Sequence, residues 1–231
     1  QAEKAKNAPA AAATTTPTAP GAAPSATATT TPAALAAPAV ANVPEEKHAL
    51  KTGSVTFELT SRGGGIARAV LAGTDKVTLN TNGLEAIGAL RRDAAGLDAL
   101  AYKLTAKSEK SVTFEGTTTE GVVITKTYSL TEGEESDEHL IDLTITLKNT
   151  GAAQHRSEEY YLYAGASSAL KHDDARYEGF FWNDAGDADF YQADYYAKPW
   201  FSEQKFEFRQ SYNALRFAGV MGRFYTHIVT R

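Results

Sequence analysis

Residues 112–148 constrain the fold more than any other stretch of the chain. Two long segments there alternate with period two. In the first, Val122, Ile124, Tyr128 and Leu130 share one face, and Val123, Thr125, Thr127 and Ser129 the other. In the second, Ile141, Leu143, Ile145 and Leu147 face one way, and Asp142, Thr144, Thr146 and Lys148 the other. Successive side chains of a strand point to opposite faces, so this pattern predicts two half-buried strands. The segment between them, Thr131 to Glu138, carries too many acids to pack inside. The expected element is a long antiparallel hairpin, extended back by Val112-Thr113-Phe114-Glu115. Such a sheet has one apolar face, and another layer must cover it.

The rest of the chain divides at residue 44. Residues 1–44 are rich in Ala, Thr and Pro and hold seven of the eight prolines, which interrupt helix and sheet repeatedly. Their only charges are Glu3, Lys4 and Lys6. The expectation is a disordered linker, partly polyproline-like, spanning about 40 Å as a flexible coil. A linker of this composition usually joins two ordered parts, so a tether is the expected role. Gln1 as first residue suggests further sequence upstream. Residues 45–231 form the expected folded domain.

Within that domain, Val55, Phe57 and Leu59 alternate with polar residues. Three glycines, Gly63, Gly64 and Gly65, then permit a tight reversal into Ile66–Leu71. No Lys-Ser/Thr follows the glycines, so they do not read as a phosphate cradle. Val77-Thr78-Leu79 is a further strand candidate, followed by a turn signal at Asn80. Residues 73–110 are less regular as a whole: Leu84 to Leu90 is apolar and interrupted by Gly88, and a short helix is expected around Ala94-Ala95 within Arg91 to Leu100. Strands are expected again through Tyr102 and Leu104, and from Arg156 to Ala164. Residues 177–201 crowd aromatics with acids and show poor periodicity, which predicts a long structured loop or irregular strands. Residues 214–229 predict two short strands broken at Gly219 and Gly222. The sum is an all-β chain, a large antiparallel sandwich.

Few residues recommend themselves for chemistry. A net charge of −5 gives no basic stripe for nucleic acid. Cysteine is absent, which removes disulfides, thiolate metal sites and thiol nucleophiles. His48, His139, His155, His172 and His227 are scattered, and none stands in a metal-binding frame. His172-Asp173-Asp174 reads as a solvated loop. Asp184, Asp187 and Asp189 depart from the spacing of a calcium loop. No catalytic, metal or cofactor-binding residue is assigned, and the chain is not expected to be an enzyme. Trp182, Tyr191, Tyr195 and Trp200 are the candidate partner-contact residues, because exposed aromatics at a rim can grip a peptide or stack on a sugar. Burial in a core is the competing reading for the same cluster.

Four stretches resemble the large periplasmic domain of the YidC-type membrane protein insertases. Phe57-Glu58-Leu59-Thr60-Ser61-Arg62-Gly63-Gly64-Gly65-Ile66-Ala67 resembles that domain's opening hairpin. Gly121 to Leu130 resembles its central Lys-x-Tyr strand, here Lys126-Thr127-Tyr128. Leu143 to Gly151 resembles the next strand and its Asn-x-Gly turn. Leu215 to Tyr225 resembles a late Trp-x-Gly segment, with Phe217 in place of the Trp and Phe224-Tyr225 inverting the usual aromatic pair. The resemblance implies a twisted super-sandwich of the galactose mutarotase type. It implies a membrane helix before Gln1 and a domain cut short at Arg231, which would continue through the rest of the sandwich into a helical membrane bundle, where insertion takes place. It also implies an accessory role on the periplasmic side of the bacterial inner membrane, with Sec translocon subunits and nascent membrane proteins as partners of the full-length protein. A secreted carbohydrate-binding or mutarotase-like sandwich is the alternative, since such proteins share the Lys-x-Tyr strand.

Overall fold

A computed structural model describes residues 44–73, 77–81, 85–91, 100–131, 138–155, 160–167, 176–197, 200, 203–205, 208, 210–212 and 214–230. The expected linker 1–44, apart from Pro44, lies outside the described residues, as do the expected helix near Ala94 and the His172-Asp173-Asp174 group.

The described chain is all-β and antiparallel. One sheet has the order β1-β2-β3-β4, formed by β1 (Lys47–Lys51), β2 (Val55–Thr60), β3 (Gly65–Leu71) and β4 (Thr78–Leu79). Two-residue strands β5 (Leu90–Arg91) and β10 (Tyr161–Leu162) pair with each other. A second sheet contains β6 (Lys103–Lys107), β7 (Ser111–Thr117), β8 (Val122–Leu130) and β9 (Ile141–Asn149), in that order. The expected hairpin is β8 and β9. They pair over their whole length with no register shift, from Val122 opposite Asn149 to Leu130 opposite Ile141.

The apolar faces of these two four-stranded sheets share one core. Leu50, Val55, Phe57, Leu59 and Ile66 come from the first, and Val112, Phe114, Val122, Ile124 and Tyr128 from the second. Fully burying each large apolar side chain is worth about 1.5–3 kcal/mol, so this shared layer dominates what holds the sandwich closed. The strand periodicity produces it directly: alternate residues are buried along β7 and along β8 as far as Tyr128, and β2 follows the same alternation until Thr60, which is buried beside Leu59.

A polar joint crosses the same core. The glycine turn expected after β2 forms at Ser61–Gly64, with Gly63 and Gly64 at φ of +74° and +58°. A Cβ at Gly64 would stand 2.8 Å from the ring of Tyr102, so both the backbone angle and the space favour glycine there. The carbonyls of this turn point at β8. Lys126 Nζ donates to Gly63 O at 2.7 Å and to Gly88 O at 2.8 Å, and lies 4.5 Å from the centre of the Tyr102 ring. Tyr128 OH donates to Gly64 O at 3.1 Å and to Ile87 O at 3.3 Å. Lys126 is wholly buried. Burying an ammonium is costly, and here charge-assisted bonds and a π face offset the loss of water. Burial, and to a lesser degree neighbouring Tyr102, push the Tyr128 phenol far above its ordinary value, so it stays a donor.

Gly88 and Ile87 belong to a strap, residues 85–91. Ile87 exchanges backbone bonds with Ile66, and the strap is bonded in turn to Tyr163. Asn80, left-handed at φ 63°, anchors the neighbourhood: its amide donates to Ala67 O and Glu85 O, and its side-chain oxygen accepts from the Ala166 N–H. The strand expected over 156–164 is seen only as β10, and residues 156–159 lie outside the described set.

Candidate functional site

Of the candidate aromatics, Trp182 and Tyr191 sit on a third sheet, Tyr195 lies in the short 3-10 helix Ala193–Tyr196 that follows it, and Trp200 comes after that in the chain. The sheet has the order β12-β11-β13-β14, formed by β11 (Gly179–Asp184), β12 (Asp187–Gln192), β13 (Leu215–Met221) and β14 (Thr226–Thr230). Residues 177–201 are thus more regular than their sequence suggests. β11 and β12 are a hairpin paired from Gly179 opposite Gln192 to Asp184 opposite Asp187. Ala185 and Gly186 turn it, both at positive φ (55° and 109°). Strand β13 also differs from expectation. Gly219 lies inside the strand and does not break it. A Cβ there would collide with the His227 carbonyl of β14 and meet the Phe181 ring. Glycine is needed where a neighbouring backbone closes in.

Register fixes the two faces. Phe180 is opposite Tyr191 and Val220, and Val220 is opposite His227, so these four share the inner face with Trp182. Trp182 stacks on Tyr191 (5.8 Å between centres, 9° between planes) and on Phe180 (5.6 Å, 21°). Phe208 packs against Tyr191 at 4.6 Å, and Tyr195 meets Tyr191 edge-on at 5.0 Å. Tyr212 meets Trp182 edge-on at 5.8 Å. Lys205 Nζ lies 4.3 Å above the Tyr195 ring. Burial raises the Tyr196 phenol above its ordinary value, and burial, then Asp184 and Asp189, raises that of Tyr212. The segment after β12 therefore caps the inner face with rings, each pair worth about 0.5–1.5 kcal/mol beyond area burial.

The two tryptophans are in opposite environments. Trp182 is 2% exposed and Trp200 is 92% exposed. Trp182 offers almost no surface to a partner, and its role is to close the inner face. Tyr191 and Tyr195 are half-buried within the ring cluster. Trp200 is the candidate that stands in solvent.

The outer face carries residues that sequence reading did not single out. Phe190, Phe181, Gly219 and Ile228 form one row across all four strands. Phe217 lies on the same face and meets Phe181 edge-on at 5.9 Å. Phe190 is 42% and Ile228 52% exposed. The strand order is what makes this row, and no spacing in the sequence announces it.

No family model, curated protein or solved structure matches this chain.

Among the described residues no three His, Asp or Glu side chains stand close enough to hold a metal ion. Asp184 Oδ1 accepts from the Ala214 N–H at 2.6 Å, which spends it on the β11–β13 corner. His227 lies beneath Gly165, where a Cβ would stand 2.9 Å from its Nδ1. Burial lowers its pKa below the ordinary imidazole value, so it is held neutral. Among the described residues, no helix is long and apolar enough to cross a membrane. What the sheet does present is contact area, an outer row of apolar side chains; the exposed indole of Trp200 lies beyond β12 in the chain.

Proposed function

We propose that this chain is an accessory periplasmic domain of a YidC-type membrane protein insertase, acting by contact and not by chemistry. The observation that carries the reading is the joint between the stretches that resemble that family. Lys126 and Tyr128, from the Lys-x-Tyr strand, donate to the carbonyls of Gly63 and Gly64 in the opening hairpin. The third stretch, Leu143–Gly151, pairs along the second. Three of the four stretches, dispersed over the sequence, are therefore one physical unit, as a shared fold would require of them, and the fourth, Leu215–Tyr225, runs into the third sheet as β13. The exposed Trp200, Phe190 and Ile228 suit a domain whose work is to touch other proteins. In this role the domain supports insertion by holding translocon subunits or nascent membrane proteins near a membrane part carried elsewhere in the protein.

The test is photocrosslinking in cells from the native gene, with a photoreactive amino acid at Trp200 or Phe190. The expected result is a membrane-fraction protein with adducts to Sec translocon subunits or to nascent membrane proteins. Recovery of the gene product wholly in the soluble fraction, or adducts at neither position, overturns the reading.

A further inference from the structure

The described sheets end in several free edges, and most of them are short, bulged or lined with charge of one sign. A free edge is a template for pairing with another chain, and proteins blunt it with lysines, bulges or brevity. Strand β1 carries lysines at both ends, Lys47 and Lys51. Strand β6 carries Lys103 and Lys107, and its register shifts between Leu104 and Ala106. Strand β4 is two residues long and β14 five. Strand β12 carries Asp187 and Asp189. Strand β9 is longer than any of these, and its only two charges, Asp142 and Lys148, are of opposite sign, so they do not repel a second copy of the same strand. It runs nine residues with no register shift, and no backbone group of Ile141–Lys148 bonds to a described residue outside β8.

Its sequence is also symmetric in character about Ile145. Two residues either side stand Leu143 and Leu147, one residue either side Thr144 and Thr146, and three either side Asp142 and Lys148. We propose that β9 is a homodimerisation edge, pairing antiparallel with β9 of a second copy about a two-fold axis at Ile145. In this register Asp142 of one copy faces Lys148 of the other, twice. Thr144 faces Thr146, Leu143 faces Leu147, and Ile145 meets its own symmetry mate. Residues opposite each other have the same parity, so every outward N–H and C=O finds a partner. The two four-stranded sheets become one of eight strands. Leu147, 45% exposed although it lies on the core face of β9, is covered by Leu143 of the second copy. The other registers of matching parity put at most one charge opposite a charge or leave both facing neutral residues. Cross-strand pairs of opposite charge stabilise a sheet and like charges oppose it, so the register is specified. A nine-residue edge buries less than a standard interface, which sets a weak dimer, and added salt weakens it further.

The test is sedimentation equilibrium of the full chain from micromolar to millimolar concentration. The expected result is a reversible monomer–dimer equilibrium. Lys148→Glu turns both symmetry-related pairs from attractive to repulsive at once and raises the dissociation constant about tenfold. Asp142→Lys combined with Lys148→Asp restores the dimer, which a misfolded variant could not do. The chain has no cysteine, so a nitroxide on Thr144→Cys reports the interface cleanly. The labelled positions are diagonal neighbours, roughly 7–8 Å apart at the backbone, and strong dipolar broadening is expected. A monomer throughout the concentration range, or a dimer that ignores both charge variants and shows no broadening, overturns the proposal.

Discussion

Lys126 shows how much one buried charge can organise. Its ammonium and the Tyr128 phenol reach from β8 to four carbonyls on two other segments, Gly63, Gly64, Ile87 and Gly88. The alternation of β8 identifies Val122, Ile124, Tyr128 and Leu130 as the covered face. Parity puts Lys126 on that face too, yet its chemistry argues for solvent, and only the carbonyl cradle resolves the conflict. That cradle consists of backbone atoms in turns, which side-chain patterning does not reveal. Tyr128→Phe keeps the ring's packing and removes only the hydroxyl. Ile87 O keeps the Ile66 N–H as donor, so the loss falls on Gly64 O, and burying that carbonyl without the hydroxyl costs about 1–2 kcal/mol, expected as a lower denaturant midpoint at unchanged slope. An unchanged midpoint would mean that Gly64 O is satisfied without Tyr128.

At the scale of elements, legibility followed alternation. Strands β2, β7, β8 and β9 were readable because one face of each is apolar and the other polar, whereas β3, whose buried Ile66 and Ala69 have opposite parity, was readable from the glycine turn before it. The β11–β12 hairpin was hidden because both of its faces carry rings. Phe180 and Trp182 lie inside, while Phe181 and Phe190 lie outside, so no period of two survives. Its turn was hidden as well. Ala185 sits at φ 55°, a region where a Cβ crowds the following carbonyl. The strongest hairpin signals place Asn, Asp or Gly at such positions, and alanine gives none. The strain is local and testable. Ala185→Gly removes a left-handed penalty of about 1–2 kcal/mol and adds chain entropy to the unfolded state. The net expectation is a gain of about 0.5–1 kcal/mol, seen as a raised melting temperature. A loss of stability on this substitution would show that the alanine methyl makes contacts worth more than the strain.

At the scale of the molecule, the described residues form two cores with one imidazole at the seam. The buried cluster of the sandwich is drawn from β1–β3, β5 and β7–β8, together with Tyr102, and Trp182 does not belong to it. The ring cluster around Trp182 is the core of the third sheet. Residues 163–167 run between them. Tyr163 bonds to the strap, Ala166 to Asn80, and Ser167 Oγ donates to Met221 O of β13 at 2.8 Å. His227 of β14 lies against Gly165 in this segment, its Nδ1 buried and without a hydrogen-bond partner. Burial holds its pKa below the ordinary value near 6.5, and this fixes the sign of a pH effect. Above that value the imidazole is neutral in both states and its contribution is constant. As pH falls below it, the unfolded chain takes up the proton first, and stability is lost until the folded pKa is passed. Glu45, whose carboxyl is held below its ordinary value chiefly by the Thr60 hydroxyl, releases its own contribution only at lower pH. Between about pH 7.5 and pH 5 the change therefore belongs to imidazoles. In a Trp200→Phe background, Trp182 fluorescence reports the third sheet alone. Its unfolding midpoint is expected to drop over that interval, and His227→Leu is expected to flatten the dependence. A midpoint equally pH-sensitive with and without His227 would assign the effect to other histidines and leave the seam without a proton-sensitive contact.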